Sequence, residues 1–199
     1  MGLQIYDDSR TIENMLKYLA DKNKIKQFEF LIYRQDPIEG YDTFEQAASS
    51  EIRKRIKINP KRIPIISQIE KIDDEVIGIS SKILCTGGLE KHLKHLDMDF
   101  VDSVSDDKEE IQTFLEKMHP IGEYEGLIIL SGNGFHYYGG EVLPPNEWID
   151  WIKRAKTPDT LVDPDWCEIQ LERGYSILRM TSSSLKPNSP KVLYRVIKR

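Results

Sequence analysis

The apolar positions recur with two spacings, and the switches between them divide the sequence into elements. Ile12, Met15, Leu16 and Leu19 keep a helical spacing, which predicts a helix running to about Lys22 with Ser9 or Thr11 as its cap. FEFLIYR, from Phe28, reads as a strand, and Thr43 to about Ile56 as a helix. IPIISQIEKI and VIGISSKILC predict two strands joined across Asp73 and Asp74, and KHLKHLDMDF a further strand. Ser105 caps an acid-started helix, DDKEEIQTFLEKM, whose stripe is Ile111, Phe114, Leu115 and Met118. Gly126 to Tyr138 predicts a hairpin and Asn146 to Ala155 a helix, and YSILRMTS and VLYRVI close the sequence as strands. Helices and strands interleave, but the strand pairs read as hairpins. The expected class is therefore α+β, a mixed or antiparallel sheet with packed helices rather than a parallel one.

Composition fits that picture. The 199 residues are 39% hydrophobic and 31% charged, as in an ordinary globular protein, and no apolar run approaches the roughly 20 residues of a membrane span. No charged n-region precedes an apolar stretch at Met1, and Cys85 and Cys167 lack metal-ligand spacing. These features predict a cytoplasmic protein with buried free thiols and no membrane partner. The formal net charge is −5, yet Glu51 to Arg62, EIRKRIKINPKR, carries six basic residues against one acid. Such a run is either a solvated helix end or a contact for phosphates.

Three short stretches carry candidate chemistry. In HLDMDF, Asp97 and Asp99 share one face of a strand, while Leu96, Met98 and Phe100 take the other. Like charges so placed repel unless they are solvated or neutralised, and a divalent cation with a taste for hard oxygen ligands, Mg²⁺ or Mn²⁺, is the usual neutraliser. In SGNGFHY, Ser131, Gly132, Asn133 and Gly134 form a turn with unobstructed backbone N–H groups, and His136 and Tyr138 follow on one face. Such a turn suits an anion, with His136 as a donor to it. In YSILRMTSSSLKP, Arg179 on a strand and Lys186 past a serine-rich turn suit a triphosphate as fork and point charge. Upstream, TLVDPDWCEIQLERGY offers Asp163, Asp165 and Glu168 as further carboxylates.

Taken in this order, the pieces resemble the archaeo-eukaryotic primase superfamily, the small catalytic primase subunits and primase-polymerases. Leu96, Asp97, Met98 and Asp99 match its paired-acid strand, and Ser131, Gly132, Gly134 and His136 its S-G-x-G-x-H hairpin. Arg179 with SSSLKP matches the latter half of its third motif. The resemblance spans roughly Leu84 to Pro190. It implies an RRM-like catalytic module, about residues 91–199, beside a smaller N-terminal α/β module, about residues 1–90. It also implies that Asp97, Asp99 and a third acid, assigned to Asp165, bind Mg²⁺ or Mn²⁺, and that Ser131, Gly132, Gly134, His136, Arg179 and Lys186 bind a nucleoside triphosphate. The implied activity is template-directed joining of NTPs or dNTPs. A single-stranded DNA template or primer-template is the implied partner, with a helicase, a large primase subunit or another replication protein as candidate associates.

Two other classes remain in view. One is a noncatalytic relative that binds nucleotide or nucleic acid in a replication or defence complex, favoured if the third acid does not converge on the pair. The other is a nuclease built on paired carboxylates, which accounts for neither the SGNGFH turn nor the basic loop.

Overall fold

A computed structural model of the chain describes residues 3–8, 10–34, 52–69, 75–99, 111, 125–132, 134–156, 162, 164–182 and 187–198. Its strands are β1 (Leu3–Asp7), β2 (Ile25–Arg34), β3 (Ile52–Ile58), β4 (Glu75–Cys85), β5 (Glu90–Asp99), β6 (Gly126–Leu130), β7 (Gly134–Leu143), β8 (Ile177–Arg179) and β9 (Lys191–Lys198). They form one sheet in the order β1-β9-β6-β7-β5-β4-β2-β3, with β8 alongside β4. Every pairing among the described strands is antiparallel, so the parallel component allowed by a mixed sheet is not seen.

The middle of the sheet decides where the polar side chains go. β4 pairs with β5 only through Lys82, Ile83 and Leu84, and its earlier residues Gly78, Ile79 and Ser80 pair instead with Arg179, Leu178 and Ile177 of β8. The short strand β8 thus enters where β4 and β5 part. Backbone bonds from Ser81 N to Ser176 O, 2.8 Å, and from Met180 N to Ile77 O, 2.8 Å, extend the joint at both ends.

Helix α1 (Ile12–Asn23) starts at Thr11, whose Oγ1 accepts from Asn14 N at 3.3 Å, and buries Met15, Leu16, Leu19 and Ala20. Helix α2 (Pro145–Ala155) has proline in its first turn and buries Trp148, Trp151 and Ile152; His92 of β5 stacks on Trp148 with centroids 4.6 Å apart. Helix α3 (Pro164–Arg173) carries Asp165 in its first turn, and Gly174 follows it at φ 73°, a conformation that favours glycine. Phe28, Phe30, Leu96, Met98, Phe135, Tyr137 and the helix tryptophans form one core, and a smaller cluster joins Leu31, Tyr33, Val76 and Tyr175. Cys85 and Cys167 are buried free thiols, as expected.

Three expectations change. Residues 52–56, expected at the end of a helix, are strand: Ile52 and Ile56 lie four apart, a spacing that both periods satisfy, and Ile58, two further on, fits only the strand. The start of that expected helix lies outside the described residues. Pro60–Gln68 is a 3₁₀ segment rather than the start of the strand expected for IPIISQIEKI, since Pro60 and Pro64 have no N–H to give to a ladder; residues 70–72 of that run lie outside the described residues. Helix α3 was not anticipated, although Pro164, Asp165 and Gly174 are start and stop signals. Of the helix expected after Ser105, only Ile111 is described; it is helical and buried.

The joint between β4 and β8 leaves no space above Gly78. A methyl group there would lie 2.7 Å from Ile177 Cγ2 and 2.8 Å from the Tyr33 ring. Gly78→Ala is therefore expected to cost about 1–3 kcal/mol by forcing β8 or Tyr33 aside. An unchanged urea midpoint would contradict this packing.

Candidate functional site

The register of β5 against β7 sets Asp97 opposite His136, Asp99 opposite Gly134 and His95 opposite Tyr138. Alternation puts all six positions on one face, with same-face neighbours about 6.7 Å apart along each strand. His136 Nε2 lies 3.6 Å from Asp97 Oδ1; the histidine is buried and the aspartate side chain keeps 32% exposure. Across from Asp99 there is no side chain at all, since Gly134 ends at its α-carbon. Across the ladder Asp97 therefore meets an imidazole.

The turn between β6 and β7 closes through Ser131 N donating to Gly134 O at 2.9 Å, and Gly132 adopts φ 113°. Arg179, buried at the end of β8, fastens this turn. Its guanidinium donates to Ser131 O, to Thr181 O at 2.6 Å and to Asn188 O at 2.9 Å, and its Nη2 would lie 3.7 Å from a methyl group on Gly132. Burial lowers the Arg179 pKa, while the Tyr33 phenol and Asp97 raise it, and a guanidinium keeps its charge throughout. Burial also pushes the Tyr33 phenol up, against the pull of Arg179, with Asp97 raising it further. Tyr138 is held neutral in the same way, by burial first and then by Asp97. Asp97, His136, Arg179, Tyr33 and Tyr138 thus form one electrostatic neighbourhood at the mouth of the hairpin.

Behind it runs a buried polar seam. Ser81 Oγ accepts from Ser176 N at 3.0 Å and meets His92 Nδ1 at 2.9 Å. His95, edge-on to Tyr138 at 5.5 Å between centroids, is fully buried. Burial takes His95 down to about 3, with His136 and His92 adding to it and the Ser176 backbone opposing. Burial and then Lys82 take His92 down to about 4. Neither histidine supplies a charge near neutral pH.

The remaining expected residues are placed as follows. Val162 forms an antiparallel bridge with Met98, the residue between the two aspartates in β5. Asp165 is exposed in the first turn of α3. Glu168 pairs with Lys156 at the surface between α2 and α3. Asp163 and Lys186 lie outside the described residues. No group of three or more His, Cys, Asp or Glu side chains in metal-holding proximity occurs among the described residues. Sequence reasoning did not single out Tyr33 or His95 for the site. His95 was legible by the same alternation that paired the aspartates, whereas Tyr33 reaches the site only through the β4–β8 joint.

The family model described as AEP-like, archaeo-eukaryotic primase 1D-like, matches residues 66–191. That match takes in β4 to β8 with the acid strand, the hairpin and Arg179, and the chain belongs to this archaeo-eukaryotic primase-like family. Comparison with characterised proteins and with solved structures gives no match.

The buried histidines make stability depend on pH. Both have folded-state pKa values below the unfolded value of about 6.5, so as pH falls the unfolded chain takes up protons first. Stability is full above that value and is lost as pH falls below it. Lowering pH from 7 to 5 is expected to remove about 2 kcal/mol per histidine, read from urea unfolding at the two pH values. A combined loss under about 1 kcal/mol would contradict the buried neutral state of this pair.

Proposed function

We propose that this protein is a metal-dependent nucleotidyltransferase, a DNA primase or primase-polymerase that joins NTPs or dNTPs on a nucleic-acid template. The carrying observation is the ladder of Asp97 against His136 and Asp99 against Gly134, beside a turn fastened by Arg179. The donor set suits Mg²⁺ or Mn²⁺: two carboxylates on one face of a strand offer hard oxygen ligands, and the Asp97 side chain keeps 32% exposure. Asp97 and Asp99 would hold the ion, with Asp165 as the assigned third acid on the segment that Val162 brings to β5. Bound ions of this kind neutralise the reacting phosphate and lower the pKa of an attacking oxygen.

The protein's own part is positioning. The Ser131 to Gly134 turn, whose Ser131 N–H is spent on closing it, would meet the triphosphate through its remaining backbone N–H groups, and His136 donates to a phosphate oxygen rather than acting as a base. Arg179 holds the turn through the Ser131 carbonyl and brings a fixed positive charge to it, and Lys186 is assigned a second positive charge for the triphosphate. In the reaction a primer 3′-hydroxyl attacks the α-phosphate: the O3′–Pα bond forms, the bond between Pα and the oxygen bridging to the β-phosphate breaks, pyrophosphate leaves, and the hydroxyl proton passes to solvent. The module of about residues 91–199 is assigned the RRM-like catalytic role and residues 1–90 the accessory one. A template strand or primer-template is the expected partner, in company with replication proteins.

A second reading, a noncatalytic nucleotide or nucleic-acid binder, is favoured by the commitment of the Arg179 guanidinium to three backbone carbonyls. Extension assays with labelled NTPs and dNTPs in Mg²⁺ or Mn²⁺, with and without primer, separate the two. Product from the wild type, lowered about 100-fold or more by Asp97→Ala with Asp99→Ala, is expected. Nucleotide binding without any product would decide for the second reading. His136→Ala is expected to weaken nucleotide binding by about tenfold while leaving Mn²⁺ binding unchanged, as loss of one charge-assisted hydrogen bond.

A further inference from the structure

The basic run of the sequence becomes the edge strand β3, the last in the sheet order. Its register sets Arg55 opposite Leu31 and Lys57 opposite Glu29, two positions apart on one face. On that face Arg55 lies over the Tyr175 ring at 5.0 Å and Lys82 of β4 at 5.1 Å, so one buried phenol supports a cation from each side strand. Lys57 and Lys82 line a common recess of about 110 Å³ with Glu29 and Glu90. Arg55 engages Glu29 at 3.2 Å, which offsets one of those acids. Among the described residues neither Lys57 nor Lys82 forms an ion pair.

This patch is joined to the candidate site. Tyr175 packs with Leu31, Tyr33 and Val76, with Ile177 against them, and Tyr33 lies within the fields of Arg179, Asp97 and Arg173. Tyr175 to Arg179 is four residues, about 13 Å of extended backbone. A row of cations therefore runs from Lys57 and Arg55 through Lys82 towards Arg179, in a protein of net charge −5. Along this row the cations outnumber Glu29 and Glu90, and such a surplus in an acidic molecule suits a phosphate backbone, here one leading towards the paired acids.

We infer that Arg55, Lys57 and Lys82 form a track for the phosphate backbone of a single nucleic-acid strand leading to the Asp97 and Asp99 site. The inference rests on the nucleotidyltransferase reading for its direction, but its test does not depend on catalysis. Binding of a fluorescein-labelled oligothymidylate of about 20 nucleotides is followed by anisotropy across a salt titration. Lys57→Ala with Lys82→Ala should weaken binding at least about tenfold at about 50 mM salt and lower the log–log salt slope by about 1.4, two phosphate contacts. Lys54→Ala, which removes one charge from the other face of β3, should shift affinity less than Lys57→Ala or Lys82→Ala does alone. Binding of Mg²⁺ with a fluorescent ATP analogue, measured in the same variants, should not change. If that nucleotide binding fails in the wild type, the proposed function is at fault and the track still stands or falls by anisotropy. Equal loss in the Lys54 variant, no loss in the double variant, or a polyglutamate peptide displacing the oligonucleotide at equal charge would overturn the track. The last outcome would mark β3 as an edge for an acidic protein strand.

Discussion

The pairing of β5 with β7 is the constraint from which the site follows. Because side chains alternate, a slip of one residue would turn Asp97 and Asp99 into the core and bring Leu96 and Met98 out. The core forbids this: Leu96 and Met98 are fully buried, and their removal from it would forfeit about 1.5–3 kcal/mol each. Hydrophobic burial on one face thus fixes the chemistry on the other. The acids need no affinity for His136 to stand opposite it.

The second support is the insertion of β8 between the diverging halves of β4 and β5. It carries Arg179 into the interior, where burial alone would penalise a cation. Three carbonyls and the nearby Asp97 offset that cost. The polar seam of Ser81, Ser176 and His92 fixes the joint behind it with neutral groups. The arrangement concentrates fixed charge at the hairpin mouth while keeping the adjacent histidines and phenols uncharged. A preorganised field of that kind is what phosphoryl transfer asks of a protein.

Much of this was legible in the sequence, and for a physical reason. The alternating pattern of HLDMDF specifies a strand, a face and a pair of acids at once, and the glycines around Ser131 specify the turn. What local pattern does not contain is long-range pairing. The basic run reads as a helix because Ile52 and Ile56 satisfy both periods, and only the partner strand β2 makes it an edge. The proline-punctuated run after Pro60 has strand-forming side chains but lacks the donors of a strand. Tyr33 joins the neighbourhood of Asp97 through strands far apart in sequence, which no window of residues displays. The acid segment is intermediate: the Val162 bridge to Met98 is a tertiary fact, while the apolar residue and the acids around it were visible.

The central claim is that this register creates a site for a metal-bound nucleoside triphosphate. The most direct measurement is a crystal structure of the protein grown with Mn²⁺ and a nonhydrolysable nucleoside triphosphate, with the anomalous signal of manganese locating the ion. The account predicts manganese at Asp97 and Asp99, with the triphosphate against the Ser131 to Gly134 turn and within hydrogen-bonding reach of His136. Manganese and nucleotide bound away from the β5–β7 face, with Asp97 and Asp99 left in contact with protein or solvent alone, would contradict it.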